Sequence, residues 1–560
     1  MANHPPQPDA INRRALLRLG TASALAVGSA SAMEQPNTAT QFAAKAASNS
    51  EAPNLHPPVV QVKGGKLRGL KDARVFTFLG IPYAQAERFE MPKAVPAWDG
   101  TKGAQVWGPV CPIPPATSVG PDDVVFPHRY WVENENCQVL NVWTQSLSTN
   151  AKKPVMVWMH GGGFTNGSSM ESYAYDGKTL SEFGDVVAVS VNHRLNIIGT
   201  LDLSACGPQY ANSRYTGMAD LVAALEWVRD NIEAFGGDPG NVTIFGQSGG
   251  GGKVTRLMQM PSAKGLFHRA ISESGGSLNY RSTDPAKSIE HQQAIAAATL
   301  KNLNLDGSRI DELKKVSYHD LLAAGTAATQ EVAKQAGTRG MGWDVIADDR
   351  YVMREFCDWA ASIPYMAGTV MSEFNSNLAK GELTKNDWSL KEVDDHLAAA
   401  FGDKKDQVVT EFKKVQPQKK IQDVLFLDTT FRPGAKMVLA RKLENTKAPV
   451  FNYIFAYEYP IDGGVTSFHC SEIAFAFHAL SEPHIHLATG ATPTGLALQD
   501  KVSQAWLNFA RTGNPSQPGL SWKPYTAEGK ETMVFDTISE VRRVDDDKLL
   551  SLLPPPAFRF

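Results

Sequence analysis

A chain of 560 residues that is 42% hydrophobic and 20% charged, with a formal net charge of -3, has an ordinary globular composition and room for a large buried core. The near-balanced charge excludes the basic footprint that binding nucleic acid or an anionic membrane surface would demand. No run of about 18 apolar residues occurs, so no membrane span is expected.

The first stretch reads as a targeting segment. Arg13-Arg14 is followed by small and apolar residues through Ala26-Val27 and by Ala30-Ser31-Ala32, an A-x-A cleavage pattern. Residues 1–32 are therefore expected to be a twin-arginine export signal, and residues 33–56 a flexible leader rich in Ala, Asn, Ser, Thr and Pro. This implies a periplasmic or secreted protein. The remainder, 57–560, is expected to be one domain, since neither an internal repeat nor a long low-complexity linker interrupts it. Its oligomeric state is not legible. Five cysteines, Cys111, Cys137, Cys206, Cys357 and Cys470, leave at least one unpaired within a monomer. His484 and His486 form the only close histidine pair, and no further ligands accompany them, so neither a metal nor another cofactor is expected.

From Val59 the chain alternates through Gly64-Gly65 to Leu67, as a hairpin would. Val75–Tyr83 is a second strand entering a proline turn, and residues 84–136 read as long ordered loops. Strands follow at Val139–Trp143, Pro154–His160 and Asp185–Val191; the last two are continuously apolar, as strands buried on both faces should be. A helix spans Met218–Phe235, stopped by Gly236-Gly237-Asp238-Pro239. Val242–Phe245 is the next strand, with a helix expected over Lys253–Met260. Later strands are expected at Arg269–Gly275, Ile363–Val370 and Val450–Tyr457, and a helix at Leu496–Arg511 before the stop Thr512-Gly513-Asn514-Pro515. Residues 284–340 and 376–425 read as helical insertions. Buried strands alternating with helices imply an α/β fold with a mostly parallel sheet covered on both faces. Functional sites in such sheets lie beyond the carboxyl ends of the strands, where His160–Gly163, Asn192–Arg194 and Ser248 all fall.

Gly246-Gln247-Ser248-Gly249-Gly250 fits G-x-S-x-G between a strand and a helix, the context of a nucleophile elbow. Ser248 is the candidate nucleophile. The loop His160-Gly161-Gly162-Gly163 presents unobstructed backbone N–H groups, which with that of Gly249 could hold an oxyanion. The base should be a histidine after the late strands; His469 is the candidate, with His396, His478, His484 and His486 as rivals. The acid should end a strand between serine and histidine; Glu373 is the candidate, with Asp348, Asp349 and Asp358 as alternatives.

From about Val59 to the end, the chain resembles the type-B carboxylesterase and cholinesterase family of α/β-hydrolases. Phe78-Leu-Gly-Ile-Pro-Tyr-Ala84, Glu135-Asn-Cys-Gln-Val-Leu-Asn-Val142, His160–Phe164, Asn192-His-Arg-Leu195, Phe235-Gly-Gly-Asp-Pro-Gly-Asn-Val242 and Thr512–Pro515 stand in the family's order. The resemblance implies ester hydrolysis on a small-molecule substrate through an acyl-enzyme. It implies Glu373 and His469 as acid and base, from Gly368–Phe374 and His469–Phe475. It also implies Gly162, Gly163 and Gly249 as oxyanion donors, Ser274 as a supporting hydroxyl near the acid, and a Cys111–Cys137 disulfide. Two positions depart from the family pattern: Gln247 replaces the usual glutamate before the serine, and Gly249 replaces the usual alanine after it. Loss of the carboxylate weakens attraction for choline-type cations, so a neutral or anionic substrate is expected. The same machinery could serve an amide, carbamate or lactone, and a non-catalytic binding protein is the remaining alternative.

Overall fold

The computed structural model describes residues 57–115, 127–275, 285–336, 343–444, 446–489 and 491–555. The expected export signal and leader lie outside the described residues. The apolar runs assemble into an 11-stranded sheet. In chain order its strands are β1 (Leu70–Asp72), β2 (Val75–Pro82), β3 (Val139–Thr144), β4 (Lys153–Met159), β5 (Val187–Val191), β6 (Gly237–Gln247), β7 (Arg269–Glu273), β8 (Tyr365–Val370), β9 (Val450–Phe455), β10 (Glu531–Phe535) and β11 (Glu540–Arg543). Across the sheet they run β11-β10-β9-β8-β7-β6-β4-β5-β3-β2-β1. Every pairing from β5 through β10 is parallel, and the outer pairings are antiparallel. The first hairpin, Val59–Val62 with Gly65–Arg68, joins Thr101–Gly103 in a separate small sheet.

The pleat divides the core. Val155, Val157 and Met159 of β4 face one apolar cluster, while Met156 and Trp158 face the other. Helices Thr216–Asn231 and Gly249–Leu257 supply Leu221, Leu225 and Val254 to the first layer; helix Pro493–Thr512 supplies Val502, Trp506 and Phe509 to the second. Trp158 packs its ring 4.9–5.0 Å from Phe477, Tyr175 and Phe245. This is the helix–sheet–helix α/β architecture expected from the sequence. The described residues fall in one compact unit spanning 56–560. Within the expected insertions stand helices Pro285–Asn302, Tyr318–Gln335, Leu390–Phe401 and Lys405–Val415.

Four elements differ from the sequence reading. β6 starts at Gly237, not Val242, because a register shift between Gly237 and Val242 lets the Asp238-Pro239 segment continue along β4. The helix after the serine begins at Gly249 rather than Lys253: four glycines, poor helix formers, make its first turn, and at Gly249, Gly250 and Gly251 a Cβ would stand 2.3, 1.9 and 2.8 Å from the nearest neighbouring atom. β10 and β11 were not expected; they are short strands at the sheet edge whose side chains mix apolar with charged residues.

Candidate active site

The serine turn is shaped by close packing against the end of β4. Gly246 pairs with Met159, and a Cβ on Gly246 would stand 2.6 Å from the Met159 carbonyl oxygen. A Cβ on Gly250 would stand 1.9 Å from the same atom, an impossible contact. The chain must therefore turn on bare backbone, and it does so through Ser248 at φ 56° and ψ -125°, a conformation costly for an L-residue. The Ser248 N–H donates to Glu273 O at 2.8 Å, tying the turn to the end of β7. The helix then starts at once, so the Gly249 N–H is one of its orphan donors at the positive end of the helix dipole.

Opposite this turn, the loop after β4 reverses through Gly162 (φ 78°) and Gly163 (φ 62°), left-handed conformations that favour glycine. The Gly162 carbonyl accepts from the N–H groups of Thr165 and Asn166. Loop and helix approach so closely that a Cβ on Gly249 would lie 2.3 Å from Gly163 O. The glycine at 249 is thus matched to the position of the glycine loop. Asn192 braces the same region: its Oδ1 accepts from Ser169 N–H at 2.7 Å and its Nδ2 donates to Pro109 O. His193 is buried, and Arg194 closes a buried ion pair with Asp220 at 2.8 Å. The Asn192–Arg194 segment is accordingly a scaffold for the glycine loop.

At the ends of β8 and the segment after β9, His469 Nδ1 meets Glu373 Oε2 at 2.5 Å, both residues almost fully buried. Glu373 Oε1 accepts from Ser274 Oγ at 2.7 Å and from the Val370 N–H at 3.0 Å. Ser274 (φ 45°), Glu373 (φ 48°) and Cys470 (φ 72°) share the left-handed strain of Ser248, so the backbone is held off its preferred conformations at each of these strand ends. Phe374 and Phe431 flank the imidazole, with ring centroids 4.2 and 4.8 Å from it. Gln247 has no exposed surface; its Nε2 lies 3.5 Å from His469 Nε2, and its Oε1 accepts from Cys470 Sγ at 3.2 Å.

Two more carboxyls stand behind Glu373. Ser274 Oγ lies 3.3 Å from Glu472 Oε1, and Glu273 Oε1 accepts from Trp506 Nε1 at 2.7 Å. Burial pushes Glu273 and Glu472 up to about 8, with Glu472 adding repulsion on Glu273, and Glu373 adding it on Glu472. Burial raises Glu373 also, to about 8. The negative charge at neutral pH belongs on Glu373, the carboxylate facing a hydroxyl, a backbone N–H and an imidazole. Glu273 and Glu472 then hold protons. Sequence reasoning gave no role to this pair or to Phe374, Phe431 and Cys470; the sheet register sets Glu273 beside Gln247 and Gly368, and the loops after β8 and β9, bridged at Glu373 and Phe468, bring in Phe374, Cys470 and Glu472.

The expected residues Ser248, Gly162, Gly163, Gly249, Gln247, Ser274, Glu373 and His469 thus converge at neighbouring ends of β4, β6, β7 and β8. The rivals do not. His396 stacks on Trp388, His478 pairs with Asp500 and His484 stacks on Tyr173. Asp348 caps the backbone of Arg350–Val352, and Asp349 pairs with Arg354. The expected Cys111–Cys137 bridge is not formed: both are buried free thiols, with burial and the Cys111 thiol raising Cys137. Cys111 Sγ instead accepts from the Leu195 N–H at 3.2 Å, which orients it toward the backbone.

Residues 56–548 match the sequence profile of the Carboxylesterase family. The para-nitrobenzyl esterase of Bacillus subtilis is 31% identical over 491 residues, covering 86% of this chain and 95% of its own. Among solved structures, an esterase from the anaerobe Clostridium hathewayi, described as hydrolysing aliphatic aromatic polyesters, is 42% identical, with a TM-score of 0.81 over 89% of this chain and 98% of its own. The Geobacillus stearothermophilus carboxylesterase EST55 is 31% identical, with a TM-score of 0.68 over 89% of this chain and 100% of its own. The chain belongs to the carboxylesterase family, with the α/β-hydrolase fold, and is a serine hydrolase of carboxylic esters.

Proposed function

We propose that Ser248 attacks the ester carbonyl, that His469 Nε2 takes its proton, and that Glu373 holds the imidazole by Nδ1 and stabilises the imidazolium. His469 then returns the proton to the leaving alcohol. The N–H groups of Gly162, Gly163 and Gly249 take the carbonyl oxygen as it gains charge. Water attacks the acyl-enzyme with His469 again as base, and Ser248 is regenerated. The observation that carries this reading is the 2.5 Å Glu373–His469 contact beside a serine on a strained turn facing the glycine loop. Ser248→Ala is expected to abolish turnover of a nitrophenyl ester while the circular dichroism spectrum stays that of the wild type. An active variant would end the assignment.

The substrate reading follows from what surrounds the base. Gln247 places a neutral amide where the family usually has a carboxylate, and Phe374 and Phe431 supply aromatic surface beside His469. An uncharged ester carrying an aromatic group fits these neighbours better than a choline ester. The activity described for the Clostridium hathewayi esterase on aliphatic aromatic polyesters supports the same preference. Higher kcat/KM for butyrylcholine than for phenyl butyrate would contradict it.

Export through the twin-arginine route is part of this proposal, resting on Arg13-Arg14 and Ala30-Ser31-Ala32. Arg13→Lys with Arg14→Lys should retain the enzyme in the cytoplasm. Equal recovery of both forms from the periplasmic fraction would refute the route.

A further inference from the structure

Lys253 lies on the helix Gly249–Leu257 that begins at the nucleophile's turn, and its side chain is entirely buried. Lysine is almost never buried this way without an acidic partner. Here Nζ donates to the His160 carbonyl oxygen at 2.9 Å, and no ion pair accompanies it among the described residues. The Phe164 ring faces it with its centroid 5.8 Å away. The other titratable groups around it come from three further segments: His160 at the end of β4, His193 beyond β5, and, at longer range, Glu171 and Cys111. His160 and His193 stack with centroids 5.1 Å apart. Each Nδ1 meets a backbone carbonyl, that of Gly161 at 3.0 Å and of Arg194 at 2.8 Å, while neither Nε2 finds a described partner. Burial and the nearby lysine hold both imidazoles well below their ordinary range, so they stay neutral. Glu171 is engaged by His128 Nδ1 at 2.7 Å. Arg194, which also lowers His193, is neutralised by Asp220 at 2.8 Å, so among the described residues the ammonium is the positive charge of this pocket with no carboxylate partner.

The atom it grips matters. The His160 carbonyl belongs to the peptide unit whose N–H is that of Gly161, at the start of the glycine loop. An ammonium bound to that oxygen polarises the peptide, strengthens its N–H as a donor, and fixes the loop's root to the helix that carries Ser248. We propose that Lys253 is a positioning residue for ester hydrolysis: clamped on the His160 carbonyl, its ammonium locks the glycine loop to the nucleophile helix and adds a fixed positive charge that favours the oxyanion over the neutral carbonyl. This rests on the assignment of Gly162, Gly163 and Gly249 as oxyanion donors.

The charge is costly to keep. Burial pulls the Lys253 ammonium down to about 7, against weak opposing pulls from Glu171 and Cys111. The sign follows: below neutrality the ammonium is charged and assists; as pH rises through that range it is lost, and kcat falls with it. Lys253→Met keeps the length of the side chain and removes the charge; its Tm should be equal to or above that of the wild type, since a buried charge is relieved.

The test measures kcat, KM and inhibition by an aryl trifluoromethyl ketone, which adds to serine as an oxyanion, from pH 5 to 9. Wild type, Lys253→Met and Lys253→Arg are compared. At pH 6 the Met variant is expected to lose about tenfold in kcat with KM nearly unchanged, and to bind the ketone correspondingly more weakly. Its alkaline fall in kcat should vanish. The Arg variant should recover kcat and extend the plateau to higher pH. Wild-type kcat and ketone affinity in the Met variant at pH 6 would overturn the proposal. So would a loss that Arg does not rescue and that comes with a lowered Tm. If the Met variant fails to fold, Lys253→Gln, which keeps a donor for the His160 carbonyl without the charge, takes its place, and wild-type kcat and ketone affinity in it at pH 6 overturn the proposal equally. Failure of the underlying oxyanion assignment reads differently: the wild type would bind the trifluoromethyl ketone no better than the plain methyl ketone.

Discussion

Gln247 is the neighbour of the proposed nucleophile that departs most clearly from its relatives, and its contacts say why that matters. The amide sits between Cys470 Sγ at 3.2 Å and His469 Nε2 at 3.5 Å. A neutral group there leaves Glu373 as the carboxylate that favours the imidazolium. Gln247→Glu would place a second negative charge against the same ring and raise the His469 pKa. The acid limb of kcat/KM should then move to higher pH by roughly one unit, and the rate on choline esters relative to neutral esters should rise. An unmoved limb would mean that Gln247 does not face the working base. Ser248, Glu373 and His469 were legible as residues because a G-x-S-x-G turn and a family motif mark them. Lys253 was not: in the sequence it is one polar residue opening a helical run, and only its complete burial distinguishes it. Glu273 and Glu472 escaped because their meeting depends on how the segment after β9 packs against the end of β7, where Glu472 reaches Ser274.

At the level of elements, the site is the place where β4, β6, β7 and β8 end together, with the glycine loop and the helix Gly249–Leu257 pressed against one another. The contact is backbone on backbone, with a Cβ on Gly249 falling 2.3 Å from Gly163 O. Gly249→Ala should therefore push the loop away from the serine. Misplacing one oxyanion donor costs about 3 kcal/mol, so kcat should fall roughly a hundredfold, and the backbone overlap should lower the Tm as well. Undiminished kcat would show that the loop yields without cost. The central strands could be read from sequence because continuous apolar runs such as Val155–Met159 mean burial on both faces. The helix start could not, because glycines oppose helix formation and only close packing against Gly163, Met159 and Gly275 explains those at 249, 250 and 251. β10 and β11 were missed because edge strands carry a weak alternating signal.

The whole molecule bears the energetic consequences of holding several ionisable groups in its core. Glu273 is ordinarily near 4.5 and is raised by burial to about 8. The folded protein therefore keeps a proton that the unfolded chain releases, and the associated stability is complete below 4.5 and lost as pH rises toward 8. Between pH 5 and 7 the loss is on the order of 3 kcal/mol for one such group. Glu273→Gln cannot ionise. Measured by urea denaturation, its stability relative to the wild type should improve over that window by an amount of this order. Histidines and lysines common to both proteins cancel in the comparison. A pH-independent difference would show that Glu273 is already ionised at pH 5.

The central claim is that esters are cleaved through a covalent intermediate on Ser248. Its most direct test is stoichiometric reaction with a nitrophenyl phosphonate, followed by peptide mass spectrometry. The account predicts one nitrophenol released per chain, loss of esterase activity in step with that release, and the phosphonyl group on Ser248. A label on any other residue, or full activity after complete labelling of Ser248, would contradict it.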